Sequence, residues 1–422
     1  MDITVQPSEV EGDIVPPCSK SYAQRTFAAA LLSTGTTRIT NLQMCDDTIS
    51  ALCSITHLGA KVLHTSETSV EITGGLNPVS EVLNIGESGL GARLFTPIAA
   101  LCNEPISIIG VKSIIGRPMG MMIAPLRNLG VEVKSDGFLP ITVTGPLKGG
   151  QTDVDGYVSS QFLSGLLMAL PVAKGDSILH VDKLQSEPYI KMTVDTAERF
   201  GIKIEHNQWR EFFIRGGQSY TAIDTAIEGD WSSAAFMLTA GAVAGHVRVS
   251  NMNMLSLQAD LEIVDILSRT GAEIVSEDNE ISVTRRQLNA FEADIAHCPD
   301  LFPVLVVLAS ASEGTSIIHG VERLIHKESN RAEAILEEYT SIGIKVSLAD
   351  QNTMRVEGGP IRGGTISSRG DHRIAMAAAI AGLISEEGVT ITDADTVSKS
   401  YPDFWQALSS ITPNAIYEHD RS

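Results

Sequence analysis

Cations, hydroxyls and one amide gather where apolar stretches begin. KSYAQRTFAAALL opens on Lys20 and Ser21 and continues to Arg25. SGLGARLFTPIAAL supplies Gly89 and Arg93, and SSQFLSGLLMAL supplies Ser159, Ser160 and Gln161. PDLFPVLVVLAS contains Asp300, and GDHRIAMAAAIAGL carries Asp371, His372 and Arg373 near its start. The loops add Arg117 (IIGRPMG), Ser186 and Tyr189 (QSEPYI), Lys327, Glu328 and Arg331 (IHKESNR), and Lys399 (VSKSYPDFW). A helix N-terminus presents unbonded N–H groups and about half a positive charge. Guanidinium forks grip carboxylates and phosphates through paired hydrogen bonds. The chemistry that suits this set is the capture of small anions. Any one of these residues reads equally well as an ordinary helix cap or a solvated surface charge. Their placement at equivalent points of a repeat is what suggests a site.

The repeat is legible in a short phrase. LGAKV, LGVEV, FGIKI, TGAEI and IGIKV place Gly59, Gly130, Gly201, Gly271 and Gly343 about 71 residues apart. In each, an amphipathic helix ends, glycine supplies the left-handed terminal residue, and a β-branched strand begins. The apolar helices starting near Lys20, Gly89, Ser159, Ser232, Asp300 and Asp371 recur with a similar step, each followed by a short strand such as ISIIG or VTIT. Each unit therefore reads helix, strand, helix, strand, strand. The sixth unit lacks its last strand, and the opening MDITVQP is the segment that can supply it.

This predicts an α/β fold of two domains, each with three pseudo-repeated units. A length of 422 residues exceeds the roughly 250–300 that one core sustains. One domain spans 1–19 plus 228–422, and 20–227 is inserted into it. LFPVLVVLAS and RIAMAAAIAGL are apolar almost all round, so such helices belong inside, with the sheets facing solvent. The arrangement is an inverse α/β barrel with buried parallel helices. Six helix starts would then point into one cleft between the domains.

Composition narrows the partners. Asp and Glu number 51 against 31 Lys and Arg, a formal charge of −20, which argues against nucleic acid. No apolar run approaches the ~18 residues of a membrane span, and the opening residues lack the basic and apolar regions of a secretory signal. The five cysteines are scattered with no CxxC, which suggests free thiols in a reducing cytoplasm rather than disulfides or a zinc site. GESGLGAR has the wrong glycine spacing for a dinucleotide fingerprint.

PPCSKSYAQR, GRPMG, SSQFLSGLLMAL, SEPYI, the Pro-Asp at Asp300, HKESNR, GDHRIAM and KSYPDF stand in the order of motifs typical of one family. Over essentially its whole length the chain resembles the 5-enolpyruvylshikimate-3-phosphate synthases. That resemblance implies two inverse α/β domains and transfer of the enolpyruvyl group of phosphoenolpyruvate to the 5-hydroxyl of shikimate 3-phosphate. It implies a cytoplasmic enzyme without metal or other cofactor, and a monomer is expected.

The resemblance also implies roles. Asp300 is the base beside the 5-hydroxyl, Glu328 serves the methyl proton, and Lys20 bridges both ligands and assists the departing phosphate. Ser21, Arg25, Ser159, Ser160, Ser186 and Lys327 hold shikimate 3-phosphate, together with Lys20 and Asp300. Gly89, Arg117, Arg331, Arg373 and Lys399 hold phosphoenolpyruvate, again with Lys20. Gln161 is placed with either ligand. Arg323 stands where many relatives place Asn or Arg, which leaves its contact open. Departures stand at Glu87, where relatives typically have Asn, and at Ser88 and Leu90 around Gly89. They leave affinity and inhibition by glyphosate-like analogues open.

Two other readings have distinguishing signs. A sister transferase acting on a nucleotide sugar shares the repeat but typically carries a cysteine in the loop around Arg117, and GVKSIIGRPMGMM has none. A polymer-binding scaffold would show a basic face, which the net charge opposes.

Overall fold

A computed structural model describes residues 1–157 and 160–419. The chain divides into two units, one of 1–17 plus 229–422 and one of 18–228.

The apolar helices form because capping residues start them and burial on every side holds them. Ser19 caps Lys20–Leu32 by accepting from the Tyr22 amide. Ser88 caps Gly89–Ala99, Asp230 caps Trp231–Ala244, and Asp371 caps His372–Leu383. Every residue of Phe302–Ser310 and of His372–Leu383 is buried. Full burial stabilises by about 1.5–3 kcal/mol per large side chain, so apolar sequence all round requires such a position. In one unit Trp231–Ala244, Phe302–Ser310 and His372–Leu383 pack against one another. In the other, Gly89–Ala99 packs against both Lys20–Leu32 and Ser160–Ala169. Among the described residues no helix is long and apolar enough to cross a membrane.

Gly165 explains one of these contacts. A Cβ there would lie 2.4 Å from the Arg93 carbonyl oxygen, so only glycine lets the Ser160–Ala169 backbone come this close to Gly89–Ala99.

The other helices are amphipathic. Glu262–Thr270 buries Ile263, Ile266, Leu267 and Thr270 and ends on left-handed Gly271. The expected helix RAEAILEEYTSIG begins at Arg331 but widens into a π-helical stretch, Ile335–Tyr339. There the Tyr339 hydroxyl reaches the Ile374 carbonyl at 3.3 Å, while the neighbouring Glu338 accepts from the Ser367 amide.

Among the described residues six four-stranded sheets share one pairing pattern: an edge strand parallel to its neighbour, then two antiparallel steps. Asp2–Val5 lies between Val389–Thr392 and Ile416–His419, as the missing strand of the last sequence unit should. Strands such as Ile106–Ile109 alternate between buried and half-exposed residues, with one face on the core. A left-handed residue recurs after the first strand of each repeat, at Asn41, Lys112, Lys183, Asn251, Gly320 and Asp393.

The parallel edge strands were not anticipated. Three of them, Val82–Asn84, Asp224–Ala226 and Glu292–Asp294, are three residues long, too short for alternation to register.

Candidate active site

In the unit of 1–17 plus 229–422, the candidate residues form one ionic network. Arg331 begins the Arg331–Ala334 helix and is 0% exposed. Its Nη1 donates to Asp300 Oδ1 at 2.7 Å, its Nη2 to Glu328 Oε2 at 2.7 Å, and its Nε to Asp371 Oδ2 at 2.7 Å. Arg373 Nη2 lies 3.0 Å from Asp300 Oδ2, and Lys327 Nζ lies 3.3 Å from Asp300 Oδ1. Lys399, at the end of the Ala394–Lys399 turn, is 3.5 Å from Glu328 Oε1. Asp371 both caps the Arg373 amide at 3.0 Å and clamps Arg331, while His372 Nδ1 is 3.7 Å from its Oδ1.

Such crowding shifts proton affinities. Burial alone would raise Asp300, but Arg373, Lys327 and Arg331 together hold it well below the ordinary carboxylate range. Burial pulls Lys327 down, and nearby Arg331 and Arg323 add to this while Asp300 opposes it. Burial would lower Arg331 and Arg373 as well, yet their carboxylate neighbours raise both. The two acid–base candidates, Asp300 and Glu328, are thus wrapped by cations.

In the unit of 18–228, hydrogen bonds tie the helix starts to one another. Gln24 accepts from Ser88 at 3.1 Å, Arg93 donates to Gln161 at 2.8 Å, and Arg25 donates to Ser164 at 3.3 Å. Lys20–Leu32, Gly89–Ala99 and Ser160–Ala169 therefore bring their first turns to one end. Arg25 also donates to Thr193 at 2.8 Å, to the Ser21 carbonyl at 2.8 Å and to the Tyr189 carbonyl at 3.2 Å. Burial lowers it to about 10, still cationic. Lys20 pairs with Asp47 at 2.9 Å.

Ser186 is buried and left-handed, with φ 54°, and starts the Glu187–Arg199 helix. A serine held in that region costs about 1–2 kcal/mol, which persists where the surroundings impose it. Ser160 is buried at the first position of its helix. Ser159 lies outside the described residues.

Arg117 follows the Lys112–Gly116 turn, and its guanidinium packs against Gly89: a Cβ on Gly89 would sit 2.5 Å from Nη1. Glu87, the unexpected carboxylate, is bound by Lys112 at 3.0 Å and by the Ser113 hydroxyl at 3.0 Å. It fastens the loop that carries Arg117.

Asp47 and the clamping role of Asp371 were not legible in the sequence. Asp371 could have been suspected from its place immediately before His372 and Arg373. Nothing in the spacing marks Asp47, which reaches Lys20 from a separate helix, Asp46–His57.

Comparison with known proteins identifies the family. Residues 4–408 match the family model described as EPSP synthase (3-phosphoshikimate 1-carboxyvinyltransferase). A 3-phosphoshikimate 1-carboxyvinyltransferase of Methanocorpusculum labreanum is 34% identical, covering 97% of this chain and 98% of the relative. The protein of that name from Clostridium kluyveri is 36% identical over 97% of each chain. Among solved structures, an EPSP synthase from Acinetobacter baumannii superposes with a TM-score of 0.85 at 25% identity, covering 99% of both chains. With these matches along nearly its full length, the chain belongs to the EPSP synthase family.

Proposed function

We infer that this chain transfers the enolpyruvyl group of phosphoenolpyruvate to the 5-hydroxyl of shikimate 3-phosphate, with release of phosphate. The observation that carries the reading is the convergence of Lys327, Arg331, Arg373 and Lys399 on Asp300 and Glu328, in a member of this family.

The reaction is an addition followed by an elimination. The 5-hydroxyl oxygen bonds to C2 of the enol, its proton goes to Asp300, and C3 gains a proton by way of Glu328. The tetrahedral adduct then loses a C3 proton to Glu328 as its C2–phosphate oxygen bond breaks. Lys20 balances charge on the departing phosphate. Preorganised cations around developing negative charge are usually the largest contribution to catalysis.

The ionic network adds a switch to this scheme. In the free protein Asp300 is a weak base, because three cations hold its charge. A phosphate and a carboxylate arriving at those cations compete with Asp300 for them. Its proton affinity then rises when the hydroxyl is in place.

The binding roles follow the same proposal. Arg117, Arg331, Arg373 and Lys399 hold phosphoenolpyruvate, with Gly89 giving close backbone approach. Ser21, Arg25, Ser159, Ser160, Ser186 and Lys327 hold shikimate 3-phosphate, and Gln161 is shared. Both clusters act on one pair of ligands, and one chain carries the whole set, so a monomer suffices. Four buried free cysteines and one exposed suit a reducing compartment.

The test is phosphate release from the two substrates. Release by the wild-type chain, reduced ~10²–10⁴-fold in Asp300→Ala and Glu328→Gln, is expected. Full activity in both variants would discard the acid–base roles. Release with a nucleotide sugar but not with shikimate 3-phosphate would favour the sister reaction.

A further inference from the structure

Asp260 has no part in the roles above, yet its charge acts on both Asp300 and Arg373. It lies in the Ala259–Leu261 turn and is 1% exposed. The Ser232 hydroxyl makes a short contact to its Oδ2. Among the described residues its buried Oδ1 has no hydrogen-bond partner. The charged and titratable groups facing it are Asp230 before the Trp231–Ala244 helix, Asp300 and Cys298 before Phe302–Ser310, and Arg373 on His372–Leu383. Arg373 is the cation among these groups, and Asp300 already holds it at 3.0 Å.

A carboxylate in this position would be buried, half unpaired and next to two like charges. A neutral acid avoids each of these costs. We propose that Asp260 is a positioning residue for the anion site: a buried carboxylic acid, neutral while Asp300 is ionised, that leaves Arg373 to Asp300 and to an incoming anion and competes for Arg373 once it loses its proton. The proposal rests on the reading of the site given above.

Burial, with Asp300 next in effect, lifts Asp260 to about 7 against the pull of Arg373 and Ser232. The change of state therefore falls near neutral pH. Below that pH Asp260 is silent. Above it, a second carboxylate pulls on the guanidinium, and phosphoenolpyruvate is held less tightly. The Ser232 contact favours the charged form, so its loss moves the change to higher pH.

The experiment uses the full-length chain and two variants, Asp260→Asn and Ser232→Ala. Infrared difference spectra between about pH 6 and about pH 8 should show the carbonyl band of a protonated carboxyl disappearing in the wild type, and no such band in Asp260→Asn. The KM for phosphoenolpyruvate, and its calorimetric affinity in the absence of turnover, should weaken about tenfold in the wild type over that interval. In Asp260→Asn the weakening should be under about twofold, and in Ser232→Ala it should begin at higher pH. A band unaffected by Asp260→Asn, or the same pH dependence in all three chains, overturns the proposal. A missing reaction alongside an intact band and the expected affinity profile would instead sink the assigned activity and leave the buried acid standing.

Discussion

Arg331 Nη1 and Asp300 Oδ1 stand 2.7 Å apart, and the arginine is wholly buried. The pair therefore couples the stability of its unit to the proton affinity of the candidate base. Asp300 is held below its ordinary value of 3.8, so its contribution is complete above that pH and is lost as pH falls toward the lowered folded value. Wild-type melting temperature should fall as the medium is acidified below about pH 4, and it should fall less steeply in Asp300→Asn. Parallel acid curves for the two chains would show that the pair is not responsible.

Asp371 is the third anchor of the same guanidinium. Removing it in Asp371→Ala leaves Arg331 buried with less compensation and takes the cap from the Arg373 amide. Loss of one partner from a buried ion pair costs about 3–5 kcal/mol, so urea unfolding should shift by that order. Asp371→Asn keeps the cap and should lose less. Equal stability in both variants and the wild type would refute the clamp.

Gly89 has no room for a methyl group unless Arg117 moves. Gly89→Ala should therefore raise the KM for phosphoenolpyruvate several-fold, about 1 kcal/mol of binding per loosened contact, with little change in the affinity for shikimate 3-phosphate. The arginine is on a loop and can yield, so the melting temperature should stay close to that of the wild type. Unchanged KM would mean that Arg117 does not touch that ligand.

Gly165→Ala tests the helix approach instead of the ligand. Its methyl group would meet the Arg93 carbonyl, which cannot yield without moving a helix. A loss of about 1–3 kcal/mol in unfolding free energy is expected. Gln161 lies on the same helix and accepts from Arg93, so both ligand affinities should weaken with it. A variant as stable as the wild type would show that the two helices have slack between them.

Much of this was readable in the chain. The apolar runs at Phe302 and His372 and the recurring glycine after each amphipathic helix mark the repeat, because burial on all sides and left-handed termini leave strong local signals. The network at Arg331 was legible as a set of residues but not as a set of pairs. Sequence order does not say that Asp371 faces Arg331, 40 positions away. Asp260 was passed over because its significance is an absence, an oxygen without a partner, which only packing reveals. The π-helical turn at Ile335 was missed for a related reason: helical periodicity cannot distinguish one extra residue in a turn from none.

The strand Asp2–Val5 sits between Val389–Thr392 and Ile416–His419, and this fixes an order of events at the ribosome. Residues 2–5 must wait for residues 389–419 before their backbone finds these partners, while 18–228 is contiguous and complete long before. Nascent chains stalled shortly after residue 228 should yield a protease-resistant core from the inserted segment, with the Asp2–Val5 strand still open to digestion.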